Sequence, residues 1–329
     1  MTLTSPEVRS EGWLEAVETY IENGWTDGLP VIPPTPEAVS AMLAAAGVDG
    51  TEVLGEIPTR SLTVSAEKVA INSVMAGCLP EYSPVVVAAV RALLQPLANA
   101  HSTTATLAGA AHAVVVNGPI RNVIGVECGQ ACLGPGFRAN ATIGRAVRLV
   151  IRNVFRTVPG VLDRASFSWP LRYSFCFGEN EEHSDWTPLH VLEGYEPDDD
   201  VVTVMSVMRF LTATEFEPEA EAVLATIADT ARLQGLMLDS FVGEARGMMV
   251  ILGPEHQRRL VDEGWTKESV RESLWERMTR PTVGRHDNEV VLASPDNVLV
   301  CCAGGPGLAQ SQLIMPHLAA PAHERIVVP

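Results

Sequence analysis

The sequence predicts an α/β (or α+β) fold, a mixed sheet flanked by helices, and two observations carry that prediction. Short apolar runs at Ala113 to Asn117, Val201 to Met205, Gly247 to Leu252 and Asn297 to Cys302 have the length of buried strands. Between them lie longer segments with helical apolar spacing and cap signals, so strands and helices mix through the whole chain. Residues of the AVILMFWYC set make up 47% of the 329. That is enough for a large core and excludes a disordered chain or a disulfide-stapled mini-fold.

The first helix is expected over Trp13 to Glu22, stopped by Asn23-Gly24. DGLPVIPPTPE follows, with four prolines in eleven residues, and reads as an extended segment. Thr35 is an N-cap, with Pro36 opening a helix to Ala46. A strand is expected over Arg60 to Val64, then a helix over Ala66 to Ala76, capped by Ser65 and stopped by Gly77. Ser83-Pro84 opens the next helix, which runs to Leu94 and leaves Cys78 at a joint between two helices. After the strand ending at Asn117, Ile120 to Val126 is a second strand candidate. A helix is expected from Asn140 to Phe155 and a strand over Tyr173 to Phe177. Another helix is expected over Glu217 to Leu233, one at Pro254, one after Thr266 and one after Gly307. The acidic stretch Glu193 to Asp200 divides the chain into 1–194 and 201–329. The second part has its own alternation, so two similar halves are expected, with one continuous domain as the alternative.

Net charge is −17, which argues against nucleic acid and anionic membrane surfaces as partners. No run approaches the roughly 18 apolar residues of a membrane span, and MTLTSPEVRSEGW lacks a signal-peptide pattern, so a cytoplasmic protein is the expectation. Of the 23 basic residues only Lys68 and Lys267 are lysines. Residues 121–172 hold eight arginines against Glu127 and Asp163, an excess of +6 in an acidic chain. Arg145, Arg148, Arg152 and Arg156 share one helix face by their 3-4-4 spacing. Before them stands CGQACLGPGFRANATIG, a glycine loop running into a helix N-terminus. Gly134, Gly136, Arg138, Asn140 and Arg145, with Asn117 at the preceding strand end, are candidate donors to a carboxylate or phosphate. The alternative is a basic face that pairs with surface acids or lies in a homo-oligomer interface. No P-loop or dinucleotide fingerprint is present, and no cofactor is indicated.

Cys78, in a turn followed by Glu81, is the candidate nucleophile, with Glu81 or a histidine as base; the alternative is a small buried hydrophobe. Cys128 and Cys132 have CxxxC spacing, which suits a redox pair, or two metal ligands without the second pair that a four-ligand site needs. GENEEHSDWTPLH places Glu182 and His183 after a strand, as an acid–base pair or metal ligands. Gly304 and Gly305, in AGGPG, form a second strand–glycine loop and a second candidate anion contact.

DGLPVIPPTPEAV, AEKVAINSVMAGCLPEY, VVNGPIRNVIGVECGQACLGPGFRANATIGRAVRL and FCFGENEEHSDWTPLH together resemble an uncharacterised bacterial protein family of similar length. The resemblance extends to GPEHQ and AGGPG and so covers most of the chain. It implies company with small thiol or selenol proteins of the thioredoxin-related UGSC type, and thiol chemistry at Cys78 more than at Cys128 and Cys132.

The function expected first is a cysteine-dependent enzyme. Cys78 would attack an electrophilic carbon or sulfur, Glu81 or His183 would manage the proton, and Arg138 with the loop amides would hold a small anionic substrate. A metal-dependent lyase or hydrolase built on Glu182 and His183 is the second expectation. A non-catalytic subunit of an enzyme complex is the third.

Overall fold

A computed structural model of the chain describes residues 3–234, 247–278 and 292–329. The chain opens with helices α1 (Trp13–Glu22) and α2 (Pro36–Ala46). Thr35 Oγ1 accepts the Ala38 N–H at 3.2 Å, the N-cap its position predicted. Strands β1 (Val53–Ile57) and β2 (Leu62–Ser65) form a small antiparallel hairpin apart from the main sheet. Then come α3 (Ala66–Ala76), α4 (Ser83–Leu94) and the single turn α5 (Ala100–Thr103). Ser65 occupies the N-cap position of α3, but its side chain makes no cap hydrogen bond; Gly77, at φ 93°, ends that helix.

The main sheet begins with β3 (Ala111–Asn117), followed by α6 (Ile120–Ile124), α7 (Arg138–Asn153), β4 (Cys176–Gly178), the turn α8 (Leu189–Leu192) and β5 (Val201–Thr214). Its second part is α9 (Ala220–Gln234), β6 (Met248–Leu252), α10 (Pro254–Asp262), α11 (Lys267–Met278), β7 (Val298–Cys302), β8 (Gln310–Pro316) and β9 (Ala322–Arg325). The strand order is β4-β3-β5-β8-β6-β7, with β9 pairing β5. β4 runs parallel to β3 and β7 parallel to β6; the other pairings are antiparallel.

Two equivalent units emerge. In each, a strand ends in Gly-Pro, helices follow, a parallel partner strand returns, and an antiparallel third strand leads to the centre: β3-β4-β5 and β6-β7-β8. Both Gly-Pro turns are crowded, although Gly118 has φ 89° and Gly253 φ −74°. A Cβ at Gly118 would stand 2.3 Å from the Asp199 carbonyl just before β5, and one at Gly253 would stand 2.3 Å from the Gln310 carbonyl that starts β8. One sheet therefore crosses the acidic stretch at 193–200, with β5 bonded to β3 along Val201–Val207 and to β8 beyond it.

Alternation along the strands separates three cores. Val114 and Val116 face the layer of α2, α3, α4 and α7. Val250, Val300 and Cys302 face α9, α10 and α11. Ala113, Val115, Met249, Ile251, Leu299 and Cys301 point to a third cluster shared by both halves. The sheet is curled around that cluster, so its two edges approach each other: Asn180 N–H, just past β4, donates to Cys302 O at the end of β7 at 2.7 Å.

The strands expected over Arg60 to Val64 and Tyr173 to Phe177 begin later, at Leu62 and Cys176, and two predicted elements differ in type. Residues 120–124 are helical, because Pro119 already has αR geometry and Gly125, at φ 69°, closes the turn. The segment after Gly307 is strand β8, since it fills the central slot beside β5 and β6. Among the described residues no single helix is long and apolar enough to cross a membrane.

Candidate active site between the two glycine loops

The converging strand ends enclose a buried polar network. Glu179 follows β4 and is 1% exposed. Its carboxylate accepts from Asn117 Nδ2 (2.7 Å), Leu189 N (2.7 Å) and Lys267 Nζ (3.0 Å). Lys267 opens α11, is equally buried, and also donates to Thr187 O at 2.7 Å. Burial alone would lower its ammonium pKa; the Glu179 charge and hydrogen bond outweigh that and raise it. Desolvating such a pair is expensive. This one ties β3, β4, α11 and the 187–189 segment together at the carboxyl ends of strands, where α/β folds place their sites.

Arg121 on α6 forms the wall of the site. Its guanidinium donates to Gly118 O, Glu179 O and Glu182, and its Nη2 lies 3.0 Å from Glu181. Glu182 also accepts from Asn122. Partial burial raises the Glu182 pKa, but the Arg121 and Asn122 hydrogen bonds prevail and hold it down at about 2. Glu181 accepts from Asn117 Nδ2 at 2.8 Å and Gly118 N at 2.9 Å. His190 is fully buried, its Nδ1 4.0 Å from Glu181.

The loop at 128–137 lies over this network. Asn140, in the first turn of α7, accepts the Glu127 N–H (2.8 Å) and donates to Glu127 O (2.9 Å) and Cys132 O (3.0 Å). Gly304 N–H donates to Cys128 O at 2.8 Å, and Gly305 packs on the Gln130 backbone so closely that a Cβ would meet it at 2.7 Å. Cys128 is half-buried, and the other five cysteines are buried. Its sulfur is 4.0 Å from Arg121 Nη1. Burial raises its pKa, Arg121 lowers it, and Glu182 and Glu127 raise it further.

Cys78 lies at a second corner, under the start of α7. Burial pushes its thiol up to about 12, against smaller opposing effects of Thr142, Arg138 and Arg145. Cys78 is buried, which favours the alternative of a small buried hydrophobe over an exposed nucleophile. Arg138 does reach this corner: its Nε and Nη2 donate to Gly77 O at 3.2 and 3.0 Å. Glu81 is exposed there and raises the Tyr82 phenol, after burial.

Several predicted anion donors are occupied by the protein itself. Asn117 and Asn140 spend their amide N–H groups on protein oxygens, and Arg145 forms a two-pronged pair with Asp27 at 2.8 Å on each arm. Arg148 is buried against His112 and the Arg172 carbonyl, and burial, then Arg172, lowers it to about 9. Arg152 bonds Gly24 O. Arg156 lies beyond the end of α7 at φ 58° and leaves the predicted face, so the stripe is three staples. Gly134 and Gly136 are exposed on the loop, whereas the Gly304 N–H is already committed to Cys128. His183 Nδ1 pairs with Asn180 Oδ1 at 3.0 Å, while Glu182 pairs with Arg121 and Asn122. Among the described residues no three His, Cys, Asp or Glu side chains converge to hold a metal.

Sequence reasoning passed over Lys267 and Arg121 as site residues, and weighed Cys128 only together with Cys132, as a redox pair or two metal ligands. Lys267 carried one signal, as one of two lysines in the chain. A separate groove of about 880 Å³, lined by Tyr20, Trp25, Pro34, Glu67 and Met75, contains none of the predicted site residues. A scan against protein-family models matched no family, and a search of curated proteins found no match.

Proposed function

We propose that the chain is an enzyme acting through a thiol on a small anionic molecule, and that the acting thiol is Cys128. The observation that carries this reading is access: Cys128 alone among the six cysteines is not buried, and it faces the fixed Arg121 guanidinium. Glu127 flanks it, with Oε1 taking the Gly129 N–H at 2.8 Å, and is the proton acceptor when the sulfur attacks. Glu182 holds Arg121 in place as an ionised partner.

The anionic end of the substrate is assigned to the other end of the same loop. There α7 begins at Arg138 with no side-chain cap from Phe137, and the dipole of that helix start favours a carboxylate or phosphate. Asn140 brings that first turn against Glu127 and Cys132, so thiol and anion subsite share one pinned loop. The buried Glu179–Lys267 pair keeps the loop's platform rigid.

Limited iodoacetamide treatment with peptide mapping tests this. Cys128 is expected to label first, and a panel of small carboxylates and phosphates is expected to contain members that slow its labelling. Preferential labelling of Cys78, or no protection by any anion, would contradict the reading.

A further inference from the structure

Cys128 has a neighbour that its role as an attacking thiol does not use. The five-residue segment from Cys128 to Cys132 is folded back on itself: Cys132 N–H donates to Gly129 O at 3.2 Å. The single Asn140 Nδ2 donates to the carbonyls at both ends, Glu127 O at 2.9 Å and Cys132 O at 3.0 Å. The Gly304 N–H donates to Cys128 O at 2.8 Å, pinning the start of the segment to the AGGPG loop. The Asn140 amide and the Gly304 N–H, from different parts of the chain, therefore hold the backbone at the two ends of this segment together, the approach that closing a disulfide across it requires. Cys128 is half-buried and Cys132 buried, and both are free thiols.

The geometry points to a redox pair in which Cys128 and Cys132 close to an intramolecular disulfide by exchange with a small-molecule disulfide. Cys128, the accessible thiol, attacks one sulfur of the small disulfide; that S–S bond breaks, one small thiol leaves with a proton, and a mixed disulfide remains on Cys128. Cys132 then attacks the Cys128 sulfur, expelling the second small thiol with the other proton. Two protein thiols are oxidised to one disulfide while one small disulfide is reduced to two thiols. Burial of Cys132 sets the order, because the small disulfide reaches Cys128 first. Closure consumes the thiol assigned to catalysis. The inference goes beyond the proposed function and rests on the accessibility of Cys128 and on the contacts that bring the ends of the segment together.

Trypsin cuts after Arg121 and Arg138, and the peptide between them holds Cys128 and Cys132 and no other cysteine. Reduced protein is incubated with glutathione disulfide, alkylated without reduction, digested and weighed. The expected product is this peptide lacking two hydrogens and carrying no alkyl group, and restored by dithiothreitol. Cys132→Ser should instead retain glutathione on Cys128. Both thiols alkylated, a stable glutathione adduct in the unsubstituted protein, or pairing of either cysteine with Cys301 or Cys302 would each overturn the inference. Disulfide formation together with undiminished turnover of a substrate by Cys128→Ala would leave the redox pair standing and remove the catalytic assignment. Loss of turnover without disulfide formation would do the reverse.

Discussion

Glu179 and Lys267, 88 residues apart in sequence, meet as an ion pair at 3.0 Å with both side chains 1% exposed. One follows β4 and the other opens α11, so the contact joins the two equivalent halves of the curled sheet. Removing one partner leaves an unpaired buried charge. Lys267→Met is expected to destabilise the protein by about 3–5 kcal/mol, and Glu179→Gln combined with Lys267→Met to recover part of that loss. Urea denaturation of the single and double variants measures both, and a double variant no better than Lys267→Met would refute the account.

Acid should loosen the amino-terminal segment first. Thr4 and Ser5 donate three backbone hydrogen bonds and one hydroxyl to the Glu67 carboxylate. Burial raises its pKa, but those donors dominate and bring it from 4.5 to about 2. A depressed carboxyl contributes stability above its ordinary value and loses it as pH falls through the folded one. Protection of residues 3–10 from proteolysis should therefore be full at neutral pH and fade between about pH 4.5 and 2. Glu67→Gln should expose the segment at neutral pH.

The charge around Cys128 makes its reactivity adjustable. Glu182 raises the thiol pKa, and a glutamine there keeps a hydrogen bond to Arg121 while removing the negative charge. Glu182→Gln is expected to move the midpoint of the alkylation-rate profile of Cys128 to lower pH. An unchanged or higher midpoint would show that Arg121 is displaced when the carboxylate is lost.

Gly118 cannot carry a side chain. It has φ 89°, and a Cβ would lie 2.3 Å from Asp199 O and 2.7 Å from Asp200 Oδ1. Gly118→Ala combines left-handed strain with a backbone clash and should cost about 2–4 kcal/mol. The same substitution at exposed Gly125, φ 69° with open space around it, should cost only about 1–2 kcal/mol of strain. Thermal unfolding of the pair separates the two contributions.

Local signals in the chain determined much of the scaffold. Trp13–Glu22, Pro36–Ala46, Ala66–Ala76 and Ser83–Leu94 are helices with the bounds their caps, prolines and glycines predict. The strand cores at 113–117, 248–252 and 298–302 follow from short apolar runs between breakers. These features depend on neighbours a few residues away, so sequence alone expresses them. The glycine loop before α7 was legible for the same reason, and Arg138 opens that helix.

The tertiary structure decided which polar groups meet and which thiol is accessible. Ile120 to Val126 and the segment after Gly307 had ambiguous local patterns, and their states were settled by a Gly-Pro turn and by the central slot beside β5. Cys78 looked poised in its turn, yet packing of α3, α4 and α7 buries it and pushes its thiol up to about 12. Arg145 looked free to bind an anion, yet Asp27, 118 residues away, takes both of its arms. Glu179, Lys267 and Arg121 carry no local motif, because their roles arise only when β4 and β7 are brought edge to edge. Sequence thus determined the elements and an arginine-rich, glycine-rich centre, while curling of the sheet around its shared core selected Cys128 and the buried ion pair beneath it.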